Sequence, residues 1–143
     1  MTPVLPFFVY GTLRPGEPNH DRYLRGRIHT EEPGRLTGAL LYDGPGYPYA
    51  VDAPAGVVHG ELVTALPHAY AQLLTELDRL EEYGAGDPNS LYDRVKREVE
   101  RADGGTVRAW VYVAAPRVAA RLRAGGTLIP GGDWHTQSPR SPR

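Results

Sequence analysis

"LPHAYAQLLTELDRLEEY", residues 66–83, is the one long stretch of this chain that reads as a helix, and its surroundings read as strand and turn. Pro67 would sit in the first turn, where a missing N–H costs nothing. Tyr70, Leu73, Leu74, Leu77 and Leu80 then recur at helical spacing and form one apolar stripe. Upstream, Pro6–Tyr10 is apolar on consecutive positions and stops at Gly11, the pattern of a buried strand. "GRLTGALLY" (34–42) and "VVHGELVTA" (57–65) read as two more strands. "DGPGYPYAVDAPAG" (43–56) between them is so rich in Gly and Pro that it reads as loop or irregular edge.

Downstream of the helix, "GAGDPNS" (84–90) is a loop, and residues 91–100 and 106–114 form a hairpin around "ADGG". Asp-Gly suits that reversal because a tight turn needs positive φ. The second arm alternates, with Val107, Ala109, Val111 and Val113 on one face and Arg108, Trp110 and Tyr112 on the other. Residues 117–124 suggest a short second helix. "QSPRSPR" (137–143) has nothing to bury and reads as disordered, which leaves a domain over residues 1–135 and a tail over 136–143. No internal repeat is visible. The pattern is α+β with a largely antiparallel sheet.

Composition narrows the function. A length of 143 residues fits one domain with a real core. Cysteine is absent, which removes disulfides, thiolate metal sites and a cysteine nucleophile. No apolar run approaches the roughly 20 residues that cross a bilayer. The N-terminal apolar run is short and follows no basic residues, unlike a signal peptide. A soluble cytoplasmic protein without membrane partners is expected. A net charge of −1 argues against a nucleic-acid partner. Fifteen of the sixteen basic residues are Arg and only Lys96 is Lys. Codon bias explains that ratio more economically than anion recognition does.

The candidate chemistry is sparse. Histidines at 20, 29, 59, 68 and 135 make no H-x-H pair and no i, i+4 pair, so no metal and no cofactor is expected. Ser90 lacks the G-x-S-x-G context of a nucleophile elbow, and the opening loop lacks the Lys of a nucleotide-binding loop. The helix offers more. At about 100° per residue, Glu81 lies about 45° from the centre of the apolar stripe. Glu76 and Asp78 lie about 100° away and Glu82 about 145° away. Glu81 is thus the acid whose phase points inward, where burial raises a carboxyl pKa and makes a better proton acceptor. Two alternatives stand beside this: the helix ends before residue 81 and leaves Glu81 in solvent, or an Arg pairs it in the core.

"FFVYGTLRPGEPNH" (7–20) places Gly11 where backbone can approach a ligand. Successive N–H groups in such a turn can form an anion-binding concavity. An ordinary strand-ending turn is the alternative. An anion loop together with an inward acid points to a small zwitterionic substrate.

Four stretches in order resemble the gamma-glutamylcyclotransferase-like superfamily: "FVYGTLRPGEPNH" (8–20), "YPYAV" (47–51), "LDRLEEY" (77–83) and "SLYDR" (90–94). The first two are especially similar to the gamma-glutamylamine cyclotransferase branch. Many relatives have Gly after the L-D-x-x-E acid, whereas Glu82 stands here. The resemblance implies a small mixed, largely antiparallel β-barrel with one main flanking helix. It implies a gamma-glutamyl substrate whose α-amine attacks its own γ-carbonyl, releasing 5-oxoproline and an amine or amino acid without a cofactor. The family's catalytic acid falls on Glu81, and its substrate loop on the backbone of Tyr10, Gly11, Thr12 and Leu13. Tyr92 and Arg94 would line or brace the pocket. A non-catalytic module binding gamma-glutamyl compounds or small carboxylates is the rival reading, and an amidase releasing glutamate a lesser one.

Overall fold

The backbone hydrogen bonds of five strands close on themselves. In the computed structural model, which describes residues 4–44, 47–84 and 86–134, these are β1 (Phe7–Val9), β2 (Ile28–Tyr42), β3 (Tyr49–Ala65), β4 (Tyr92–Arg101) and β5 (Thr106–Ala114). Their order is β1-β3-β2-β4-β5 in a closed barrel. Every pairing is antiparallel except the seam, where β1 runs parallel to β5 through Phe7 and Trp110. The Trp110 N–H also donates to the Pro6 carbonyl at 2.9 Å across that seam. The barrel is thus mixed, with helices outside it.

The period-2 pattern of the strands separates two cores. Phe8, Leu36, Val58, Leu62, Val99, Ala109 and Val111 are buried together, with contributions from all five strands and none from a helix, so they fill the lumen. Trp134, fully buried, joins them from the C-terminal segment. Phe7, Val9, Val51, Val63, Tyr112 and Ala114 point to the opposite face. There they meet Leu73 and Leu77 of α1 (Tyr70–Leu80) and Val118 and Ala119 of α2 (Pro116–Gly125). Burying Leu73 and Leu77 removes side chains worth about 1.5–3 kcal/mol each from water, enough to hold a three-turn helix that would be marginal alone.

Two expectations change. β2 begins at Ile28 rather than at residue 34, and β3 begins at Tyr49, so part of the expected 43–56 loop is strand. Ile28–Pro33 is polar and mostly exposed, yet its backbone pairs with Glu61–Ala65. A ladder needs backbone groups, not apolar side chains. The register slips between Thr37 and Ala39, where Gly38 takes φ 88° as a bulge residue. Pro54 lies in the unmatched stretch opposite that bulge, where no ladder donor is missed.

The hairpin agrees with expectation, with Asp103 accepting from the Gly105 N–H at 2.8 Å and Gly104 at φ 93°. The second helix is one residue longer at each end than expected. The expected tail over 136–143 lies outside the described residues, as does His135. No helix among the described residues is long and apolar enough to cross a membrane.

Candidate active site

Residues 66–83 do not form one continuous helix. Pro67–Ala69 make a 3₁₀ turn, α1 runs from Tyr70 to Leu80, and Glu81 is its C-cap at φ −85°, ψ 5°. The Tyr83 N–H then reaches the Asp78 carbonyl at 2.9 Å, and the Glu82 N–H reaches Arg79 at 3.1 Å. These two bonds define a Schellman stop, which requires a left-handed residue at position 82. Glu82 takes that conformation at φ 53°, the only non-glycine positive φ among the described residues. It is exposed, as its phase suggested.

Glu81 nevertheless turns toward the protein. It lines a narrow pocket with Tyr10–Leu13, Tyr47, Pro48, Tyr92 and Tyr112. Its carboxyl makes no hydrogen bond or ion pair among the described residues. Burial pushes its pKa up to about 7. So neither alternative weighed for this residue holds: the helix does end before it, but the acid is half-buried in a pocket, and no Arg pairs with it. An acid of that pKa exchanges protons near neutrality.

Facing it is the opening turn, closed by Arg14 N–H to Gly11 carbonyl at 3.0 Å. A Cβ on Gly11 would meet Pro48 Cδ at 2.9 Å, so the absent side chain admits the proline ring beside the pocket. Asn19 donates to Thr12 Oγ1 at 3.0 Å and steadies the turn from outside. Leu13 is buried in the outer core. The N–H groups of Gly11, Thr12 and Leu13 have no protein acceptor among the described residues. Three adjacent unsatisfied donors at a pocket favour an anion.

Sequence reasoning gave Arg14 no role, yet it clamps this turn to the barrel. Its guanidinium is buried, donating to Glu61 at 2.9 and 3.2 Å, to Asp133 at 2.5 Å and to the Trp134 carbonyl at 2.8 Å. Asp78 was also missed. It accepts from Arg94 Nε at 2.8 Å and from the Tyr112 hydroxyl at 2.6 Å, pinning the last turn of α1 to β4 and β5. Arg94 lies over the Trp110 ring at 4.3 Å and does not line the pocket, so it braces. Tyr92 lines it, with its hydroxyl donating to the Pro48 carbonyl at 2.7 Å. No sequence pattern flags these partners, which are long-range.

Tyr10 contributes more than backbone. Its hydroxyl donates to the Tyr112 carbonyl at 2.5 Å and accepts from the Ala50 N–H at 3.2 Å, joining three segments of the pocket wall. Burial first, then the charge of Glu81, pushes its phenol pKa up, so the ring stays neutral. Burial likewise raises Tyr92 and Tyr112. Ser90 staples the loop to Gly84, accepting from its N–H at 3.1 Å. No group of three or more His, Asp or Glu suited to a metal occurs among the described residues.

Comparison with known proteins points the same way. Residues 7–136 match the family described as "Gamma-glutamyl cyclotransferase, AIG2-like". The chain is 36% identical over 108 residues to gamma-L-glutamyl-butirosin B gamma-glutamyl cyclotransferase of Niallia circulans, covering 74% of this chain and 64% of that protein. It therefore spans just under two thirds of that relative. A Vibrio cholerae protein provisionally named gamma-glutamylcyclotransferase is 35% identical over 130 residues, with 89% and 92% of the two chains covered. The crystal structure of a mouse AIG2-like protein shares the fold, with a TM-score of 0.70, 24% identity and coverage of 97% and 96%.

Proposed function

The chain belongs to the gamma-glutamyl cyclotransferase, AIG2-like family, and on that premise we propose that it is a gamma-glutamyl cyclotransferase that needs neither metal nor cofactor. One observation carries the reading: Glu81, whose carboxyl has no partner among the described residues and whose pKa burial raises to about 7, lines the same narrow pocket as a turn in which three successive N–H groups have no protein acceptor among the described residues. The first can move a proton and the second can hold a carboxylate. A gamma-glutamyl compound needs both.

In this reading the α-carboxylate sits on the backbone of Tyr10, Gly11, Thr12 and Leu13. That anchor folds the substrate so that its α-amine approaches its own γ-carbonyl, and fixed proximity lowers the barrier to ring closure. Glu81 takes the ammonium proton, freeing the nitrogen lone pair. The new N–C bond closes the five-membered lactam. Glu81 then returns the proton to the departing nitrogen as the old C–N bond breaks, and the ring nitrogen gives its second ammonium proton back through the freed carboxylate to solvent. Products are 5-oxoproline and the free amine, and no water is consumed. Tyr10, Tyr92 and Tyr112, all held neutral, shape the pocket without competing for the proton.

The test is mass-spectrometric detection of 5-oxoproline after incubation with a panel of gamma-glutamyl compounds. Release of 5-oxoproline is expected. Free glutamate instead would identify an amidase, and binding without turnover would identify a non-catalytic module. An N-acetylated substrate should occupy the pocket without reacting, since its nucleophile is gone, whereas an α-ester should bind poorly, since its anchor is gone. Lactam from the N-acetyl compound at a comparable rate would refute the mechanism.

A further inference from the structure

The pocket described above opens into a second, wider cavity. The inner pocket holds about 30 Å³ and the outer one about 170 Å³. Thr12, Tyr47, Glu81 and Tyr92 line both, so the two share a wall at the proton-transfer group. The outer cavity adds Leu80, Leu91, Asn19 and Glu82. If Glu81 returns its proton to the departing nitrogen, that nitrogen lies at the junction. Whatever it carries extends outward.

The chemistry of that outer wall is one-sided. Leu80 and Leu91 offer apolar surface to an alkyl chain. Glu82 offers a carboxylate with no hydrogen bond or ion pair among the described residues. Tyr47 lines the same cavity, and aromatic faces attract ammonium groups. No Arg or Lys lines the cavity among the described residues, although Arg121 is near enough to oppose Glu82 in its effect on the neighbouring Tyr49 phenol. A leaving group with its own carboxylate would meet an acid and no cation. One with a distal ammonium would meet an acid and a π-face.

The backbone at Glu82 adds an independent point. The Schellman stop asks for glycine at this position, and a glutamate there is held in a conformation disfavoured for any residue with a Cβ. Such strain, seen at a pocket rim, is a reason to look for a function that offsets it. Resting on the cyclotransferase reading, we infer that the outer cavity receives the leaving half of the substrate. Glu82 and Tyr47 select there for an amine that bears a second, cationic ammonium group and no carboxylate.

The experiment uses three gamma-glutamyl amides with matched four-carbon leaving groups, derived from 1,4-diaminobutane, butylamine and 4-aminobutyrate. 5-Oxoproline release is measured for each. The expected order of kcat/KM is diaminobutane, butylamine, aminobutyrate, with the first about fivefold or more above the second at low salt. That ratio should shrink as ionic strength rises. Glu82→Lys should invert the order of the two charged leaving groups. Glu82→Gly should erase the diamine preference while raising the melting temperature, because strain leaves with the carboxylate. Equal rates for the three amides, or a preference untouched by both variants, would overturn the inference while leaving the cyclotransferase reading intact. No 5-oxoproline from any amide, nor from the broader panel, would overturn both.

Discussion

Glu81→Gln changes one oxygen to nitrogen and leaves the side chain the same size, which makes it the most informative single substitution. In the proposed mechanism it removes the proton acceptor, so turnover should fall by ~10²-fold or more. Substrate affinity should change little, because the proposed mechanism assigns the α-carboxylate to the 10–13 turn. If the proposed mechanism holds, the parent protein shows a limb in kcat/KM that rises with pH through about 7, where burial places the Glu81 carboxyl, and the variant lacks it. Stability gives a second readout. The folded carboxyl titrates near 7 rather than near its ordinary 4.5, so the folded state binds the proton more tightly than the unfolded chain. Its contribution is fully present below the unfolded pKa and is lost as pH rises through about 7, with a total on the order of 1–3 kcal/mol. Melting of the parent should therefore decline over that window, and melting of Glu81→Gln should decline less. A variant with parental turnover would mean that the acid in the pocket is not the acid in the reaction.

At the level of elements, the end of α1 decides where Glu81 points. A continuous helix through residue 83 would aim the acid by phase alone. The actual stop at Leu80 hands that task to the cap, and the cap is fixed by Asp78 bonded to Arg94 and Tyr112. Asp78→Ala would leave a half-buried guanidinium and a buried phenol without their acceptor, at a cost of about 1–3 kcal/mol. It should lower the melting temperature and also kcat, with a smaller change in KM, because the turn proposed to hold the α-carboxylate is built from β1 and the Arg14 clamp rather than from α1. A loss of stability with full kcat would show that Asp78 supports the fold but not the placement of Glu81. The turn itself is an element of the same kind. Its four residues are shaped by Pro48 on one side and by the buried Arg14 clamp on the other.

For the whole molecule, barrel closure brings the parts together. β1 carries the turn at its C-terminal end, Pro48 stands just before β3, and β4 and β5 supply Tyr92 and Tyr112. Segments some forty to a hundred residues apart meet at one end of one barrel. Nothing in that assembly offers a metal site among the described residues, and the proposed chemistry is proton transfer alone. Turnover should therefore survive exhaustive chelation. Loss with EDTA, restored by one divalent ion, would count against the mechanism.

The sequence by itself determined the α+β class, the β4–β5 hairpin and the existence of α1. Each is a local property: periodicity and turn chemistry depend on neighbours within a few residues. It also held the turn at Gly11 and, by resemblance, its pairing with Glu81. It did not contain the polar first half of β2 or the start of β3, because pairing through backbone groups leaves little trace in side-chain pattern. Nor did it contain the helix stop at Leu80, where a non-glycine residue in the left-handed region defeats the usual signal. The Arg14 clamp, the role of Asp78 and the cavity beside Glu82 belong to the tertiary structure. They arise from contacts between residues far apart in the chain, made only when the closing barrel excludes water and leaves each buried charge to find a partner.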